Sequence, residues 1–281
     1  MGEVKPAFSL LTAALLAAGC AHHPADPGSR RYVSLGSSFA AGTSLGGLKT
    51  DTPARCGRSS VNYASLLAVE LQLELTDAAC NGATTTHVLE GWNELPPQIA
   101  AITPDTRLVT ITIGGNDLGY VMNLAAASCD PAKGLSFGGM ARPCPTLKLP
   151  TEQDYARTEA ALRAIARAVR ARAPASRLIF VQYVQLVPPN ACAKLGLNGE
   201  NAQIMRLMGQ RLAEITARAA RKERAEVLDA RRLSAQHTPC DARPWSAGPV
   251  PNGPPANAPW HPNMAGHAAI AKALAQQIRN L

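Results

Sequence analysis

At 281 residues, 46% of them hydrophobic and 17% charged, the chain is long enough and apolar enough for one α/β domain with a sizeable core. A net charge of +8 is compatible with nucleic acid or an anionic membrane surface as partner. Only 4% of residues are aromatic, however, and no basic run is interleaved with stacking rings, so nucleic acid is excluded and the charge is read as solvated helix faces.

Lys5 precedes the apolar stretch 7–19, which is too short to span a bilayer and has the size of a signal-peptide core. Leu16-Ala17-Ala18-Gly19-Cys20 resembles a bacterial lipobox, except that Ala17 stands where leucine is usual. Residues 1–20 are therefore expected to be an export signal. Either Cys20 is lipidated and becomes the new N-terminus, or cleavage at a small residue releases the chain. The expected location is secreted, or lipid-anchored at a bacterial cell surface or periplasm, with membrane contact through a lipidated Cys20. Residues 21–30 read as a linker in which His22-His23 is an exposed pair rather than a metal site. The domain proper is expected over 31–281, as a monomer.

The first strand is expected over 31–36, where Tyr32, Val33 and Leu35 lead to Gly36, two serines and small residues that can open a helix. Ser38 then sits at a strand's carboxyl end, where open α/β sheets bind ligands, with its N–H at a helix start that favours negative charge. A loop runs to Arg58. A helix is expected over 61–72 and a short strand over 73–79, followed by the turn Asn81-Gly82-Ala83-Thr84-Thr85. Residues 92–102 are expected to be helical, with Pro96-Pro97 near the helix start. The β-branched run 107–113 is the clearest buried strand and ends at Gly114-Gly115-Asn116-Asp117. Residues 128–150 read as one long loop. A helix over 152–173 places Tyr155, Leu162, Ile165 and Val169 on one side and Arg163, Arg167 and Arg170 on another, and Pro174 stops it. A strand over 178–184, a helix over 200–224 and a strand over 225–228 follow. A Pro-, Gly- and Asn-rich loop, 238–260, leads to Trp260-His261-Pro262-Asn263 and a last helix to about 279. This alternation implies a three-layer α/β/α sandwich around a mainly parallel, five-stranded sheet.

Besides Cys20 there are six cysteines: Cys56, Cys80, Cys129, Cys144, Cys192 and Cys240. An even number in an exported chain points to disulfides, and no Cys-x-x-Cys pair suggests zinc. Six cysteines allow fifteen connectivities. Sequential pairing is preferred, because each neighbouring pair closes a loop-rich region.

Ser38, Gly82, Asn116 and His261 all fall at one edge of the expected sheet. Singly, each is as well explained by a turn or a helix start. Together they make an ester-cleaving set. Ser38 Oγ is the nucleophile, and His261 takes its proton and returns it to the leaving alcohol. The Ser38 and Gly82 N–H groups and the Asn116 amide are the oxyanion donors.

Four blocks then carry a family resemblance. Gly36-Ser37-Ser38-Phe39-Ala40-Ala41-Gly42 resembles the first block of the SGNH (GDSL-type) hydrolases, and Asn81-Gly82-Ala83-Thr84-Thr85 the glycine block. Gly114-Gly115-Asn116-Asp117 resembles the asparagine block, and His261-Pro262-Asn263-Met264-Ala265-Gly266-His267 the histidine block. Order and spacing match over about residues 31–280, and the nearest likeness is to secreted actinobacterial esterases and lipases. The resemblance implies a flavodoxin-like fold, hydrolysis of carboxylic esters, no metal or other cofactor, and three sequential disulfides.

Two departures stand out. Ser37 replaces the acidic residue of the Gly-Asp-Ser motif, which removes a local support of the turn. Ala258 stands three residues before His261, where the family usually has aspartate. The expectation is a Ser38–His261 dyad oriented by a backbone carbonyl from residues 258–260, with activity falling near pH 6–7 as His261 protonates. A carboxylate folding back from elsewhere, such as Asp241, is the competing arrangement. Trp245 and Trp260 are read as packing residues, with a place in the acyl pocket as the alternative. The expected substrate is a small-molecule or lipid acyl ester. Carbohydrate deacetylation, phospholipid hydrolysis and a non-catalytic exported binding lipoprotein are the alternatives. A dinucleotide site fails, since no Gly-x-Gly-x-x-Gly follows Gly36.

Overall fold

The computed structural model describes residues 1–3, 28–137, 140–250 and 258–280. The expected export signal, Cys20 and most of the expected linker fall in residues 4–27 and lie outside the described residues.

Strand β1 (Arg31–Gly36) runs into a four-residue helix, α1 (Ser38–Ala41). Helix α2 (Tyr63–Leu71) and strand β2 (Glu74–Asp77) follow, then α3 (Thr85–Leu89), β3 (Thr106–Thr112) and α4 (Tyr120–Ala127). An antiparallel hairpin, β4 (Leu135–Phe137) with β5 (Met140–Arg142), precedes the long helix α5 (Glu152–Arg172). The chain ends with β6 (Arg177–Val181), α6 (Gly199–Lys222), β7 (Glu226–Leu228), α7 (Ala230–Leu233) and α8 (Met264–Arg279).

The five-stranded sheet has the order β2-β1-β3-β6-β7, and all four pairings are parallel. β1 and β3 are buried almost throughout, as parallel strands covered on both faces must be. From β1 the chain steps outward to β2. From β3 it steps the other way, to β6 and β7. Right-handed crossovers in opposite directions put their helices on opposite faces. α2, joined by α8, therefore covers one face, and α5 with α6 the other. The order reverses between β1 and β3, and ligands of such sheets bind outside the carboxyl ends of the strands at that switch point. The last register pair there is Gly36 with Thr112.

Local chemistry sets the helix ends. Thr151 accepts from the Asp154 N–H at 3.3 Å while the Asp154 carboxylate accepts from the Thr151 N–H at 2.7 Å, a reciprocal cap that starts α5. Leu162, Ile165 and Val169 are buried. Arg163 and Arg167 both reach Glu223, and Arg218 and Lys222 reach Glu159, so several of the basic residues on α5 and α6 are spent on ion pairs between the two helices.

Two local expectations are corrected. Residues 92–102 do not form a helix. Trp92 and Leu95 close a tight bridge, and only Gln98–Ala101 make a 3-10 turn. Pro96 and Pro97 lack N–H donors and bias the preceding residues away from helical backbone. The loop 128–150 contains the β4–β5 hairpin. The disulfides are Cys56–Cys80, Cys129–Cys144 and Cys192–Cys240, the sequential pairing.

Candidate active site

β1 delivers Ser38. At Gly36 φ is +136°, and a Cβ would lie 2.4 Å from the Thr112 carbonyl oxygen, so only glycine lets the turn pass this close to β3. The Gln98 side chain grips the same residue twice: Oε1 accepts from the Gly36 N–H at 2.8 Å and Nε2 donates to its carbonyl at 3.0 Å. Ser37 donates its N–H to the Thr112 carbonyl at 3.0 Å, and Ser38 then opens α1.

His261 arrives from the other end of the chain, just before α8. Its Nε2 lies 2.8 Å from Ser38 Oγ, and its Nδ1 lies 2.7 Å from the Pro259 carbonyl oxygen. A carbonyl only accepts, so Nδ1 carries the proton and Nε2 is left to accept from the serine. The turn that aims this carbonyl holds Trp260 at φ +59°, a costly conformation for a large side chain. Four bonds hold that turn. His261 N–H reaches the Ala258 carbonyl at 3.2 Å, Trp260 N–H reaches Gly248 at 3.0 Å, Ala247 N–H reaches His261 at 3.0 Å, and Asn263 N–H reaches Trp245 at 2.9 Å. Asp241 is engaged in its own turn, accepting from the Thr238 N–H and hydroxyl at 2.6 and 2.7 Å.

The Phe39 ring lies 4.8 Å from that of His261, which is 9% exposed. Burial disfavours the imidazolium and pushes the His261 pKa down to about 4, against a smaller upward pull from the Pro259 carbonyl. The expectation of a titration near pH 6–7 is thereby corrected, because the sequence does not reveal how dry the ring is.

The two remaining candidates meet at the end of β3. Asn116 Nδ2 donates to the Ala83 carbonyl at 2.9 Å, fastening the asparagine turn to the glycine turn. An amide nitrogen carries two hydrogens, so a second donor remains. Gly82 has φ +80°, and a Cβ there would press on the Trp92 ring at 3.1 Å. The Cys56–Cys80 disulfide and the 2.7 Å bond from Arg58 Nε to the Ala79 carbonyl brace the glycine turn from outside. Among the described residues, neither the Ser38 nor the Gly82 N–H has a hydrogen-bond partner.

Three further residues support the site, and two of them, Tyr183 and Gln98, carry no signal of their own in the sequence. Tyr183, just beyond β6, accepts from the Gly115 N–H at 3.0 Å and lies 3.2 Å from Ser37 Oγ. Burial raises its pKa to about 12, so the hydroxyl stays protonated and shares a hydrogen bond with the Ser37 hydroxyl. Ser37 thus keeps a polar tie where the motif's acid is missing. Asp117 accepts from the Thr85 N–H at 3.1 Å and from the Thr85 hydroxyl, binding the asparagine turn to the start of α3. Gln98 is the third. Trp260 is fully buried beside His261, and Trp245 stacks on His237 with centroids 4.1 Å apart. Among the described residues no three His, Cys, Asp or Glu side chains gather as a metal site.

Residues 34–269 match the model of the GDSL-like Lipase/Acylhydrolase family. The chain is 34% identical over 220 residues to Lipase 2 of Streptomyces coelicolor, covering 75% of this chain and 73% of that one. It is 26% identical over 216 residues to a lipase of Streptomyces rimosus, covering 76% and 75%. Among solved structures, it is similar to the extracellular lipase of Streptomyces rimosus, with TM-score 0.69 and 23% identity over 89% of this chain and 99% of that one. It is also similar to phospholipase A1 of Streptomyces albidoflavus, with TM-score 0.68 and 22% identity over the same shares. The chain belongs to the GDSL-like lipase/acylhydrolase family, and it is a carboxylic ester hydrolase.

Proposed function

We propose that the chain is an exported serine esterase or lipase in which Ser38 and His261 act as a dyad. The observation that carries this reading is the continuous chain of contacts from Pro259 oxygen through the two nitrogens of His261 to Ser38 Oγ, at 2.7 and 2.8 Å. Ser38 Oγ attacks the ester carbonyl carbon as its proton passes to Nε2. The tetrahedral oxyanion accepts from the Ser38 N–H, the Gly82 N–H and the free Asn116 amide hydrogen. The imidazolium returns its proton to the departing alkoxide, leaving an acyl-serine. Water repeats the sequence and releases the acid. The Pro259 carbonyl holds the productive tautomer and stabilises the imidazolium as a dipole rather than as a full charge.

Export is supported by the apolar stretch at 7–19, the three disulfides, and the similarity to the extracellular lipase of Streptomyces rimosus. Whether the chain is free or held through a lipidated Cys20 is decided by the mass of the mature N-terminal peptide. The expected working form is a monomer, and the acyl esters of lipids are the substrate class that its named lipase relatives support.

A fluorophosphonate is expected to label Ser38 stoichiometrically, and Ser38→Ala to abolish both labelling and ester hydrolysis. Labelling elsewhere, or full activity in Ser38→Ala, would refute the dyad.

A further inference from the structure

A cavity of about 360 Å³ lies beside the glycine turn, lined from one side by Pro53 and Arg58 and from the other by the segment 92–101. Neither Ser38 nor His261 borders it. Its volume falls in the range of small-molecule sites, ~300–1,000 Å³. Trp92, Leu95, Pro97 and Ala101 give it an apolar wall, and that wall is fixed. Trp92 and Leu95 exchange backbone hydrogen bonds at 2.9 and 3.0 Å. The Trp92 ring stacks on His87 with centroids 4.2 Å apart, and the Arg55 guanidinium lies 3.9 Å over it. The same ring is the one that a Cβ at Gly82 would strike, so cavity and glycine turn share a wall. Arg58 and His87 are the ionisable lining residues, and no lining residue is acidic. Arg58 is half-buried and makes no ion pair among the described residues. Its Nε is used on the Ala79 carbonyl, which leaves both terminal nitrogens without a hydrogen-bond partner there. Asp77 and Asp51 favour its charge from a distance, but the Asp77 carboxylate is already held by Lys49 at 2.8 Å and Asn62 at 2.9 Å. His87 Nδ1 accepts from the Thr84 N–H at 3.0 Å, so the neutral ring carries its proton on Nε2 and adds a second donor.

We propose that this cavity is a second ligand site, separate from the catalytic centre, that takes a medium-chain carboxylate with its head on Arg58 and its chain along Trp92, Leu95 and Pro97. A half-buried guanidinium without a counter-charge gains from an anion, and a carboxylate matches its two terminal N–H groups in a fork. The rest of the lining offers the chain apolar surface and no competing negative charge. At ~30 Å³ per heavy atom the cavity holds about twelve, the size of decanoate. Hydrolysis of carboxylic esters releases acids of this class, so the ligand is supplied by the protein's own reaction. The inference rests on that release and not on which residues perform it.

The test titrates decanoate, and decanol as its uncharged counterpart, into the mature protein by calorimetry, before and after the catalytic centre is blocked with a fluorophosphonate. One decanoate per chain should bind saturably to the blocked protein. Arg58→Met should weaken decanoate roughly tenfold while leaving decanol within about twofold, and Arg58→Lys should restore part of the loss. Ala101→Trp should fill the cavity and weaken both ligands at least about tenfold. Ala100→Phe serves as a second obstruction should the first fail to fold, as judged by circular dichroism. No saturable binding to the blocked protein, equal losses of decanoate and decanol in Arg58→Met, or unchanged binding in the folded obstructed variants would each overturn the proposal. A blocked protein that still hydrolyses esters refutes the dyad alone, and the obstructed variants then decide the cavity by themselves.

Discussion

Lowering the pH tests the dry environment of His261 directly. In the proposed dyad the free enzyme attacks only with His261 neutral, so kcat/KM is expected to follow the neutral fraction. With the ring pushed down to about 4, about nine-tenths remains neutral at pH 5. An ordinary histidine near 6.5 would leave only ~3% neutral there. The two cases differ about thirtyfold at one pH. The assay is kcat/KM on a non-ionising acetyl ester, with the protein jumped to each pH and read within seconds. Rapid reading matters because folding is linked to the same protons. His261 is held down to about 4, and His267, buried against α2, to about 3. Unfolded histidines protonate below about 6.5, so the unfolded state gains protons that the folded state refuses, and stability falls as the pH drops through that window. Each ring costs on the order of 3 kcal/mol by pH 4. Tryptophan fluorescence at each pH separates unfolding from protonation. A folded protein whose kcat/KM halves near pH 6.5 would refute the argument that burial governs His261.

Asn116→Ala is expected to lower kcat roughly 10²–10³-fold with little change in KM, since an oxyanion donor acts mainly in the transition state; steady-state kinetics would expose a pure KM effect, which would make Asn116 a binding residue. Tyr183→Phe leaves the Gly115 N–H without its partner and loosens the turn that carries Asn116, so kcat should drop about tenfold at nearly constant KM. In an Asn116→Ala background the same change should matter little, and full additivity in the double-mutant cycle would show that Tyr183 does not act through Asn116. Asp241→Asn should keep kcat within about twofold, because its carboxylate serves the Thr238 turn; a loss near 10⁴ in a folded variant would restore a triad in place of the dyad.

The long, strongly patterned elements are readable in the sequence because periodicity alone specifies them. β1, β3, α5 and α6 lie within a few residues of their expected positions. α3 and α4 escape, since five and eight residues give too few turns for an apolar stripe to stand out. The proline pair hid the break at 92–102, being equally at home at a helix start and in a bend. For the site, Ser38, Gly82, Asn116 and His261 follow strand ends or motifs and can be named from the chain. Tyr183 and Gln98 cannot, because each acts through a contact to residues more than sixty positions away. The pKa of His261 is hidden for the same reason: Phe39, from the opposite end of the chain, packs against the ring and helps to dry it.

The group that orients His261 belongs to the main chain. No substitution at position 259 can delete it, because every amino acid brings a carbonyl. A carboxylate in the same role would be lost to a single base change, whereas here the vulnerable property is the path of the backbone. Heritable damage to the orientation of His261 therefore has to come through the turn: through the left-handed Trp260, or through the bonds to Gly248 and from Ala247 that hold it. Glycine at position 260 would adopt that backbone more readily than tryptophan does, yet would forfeit the packing that keeps the turn in one state. A side chain chosen for its bulk thus protects an atom that the genetic code cannot remove.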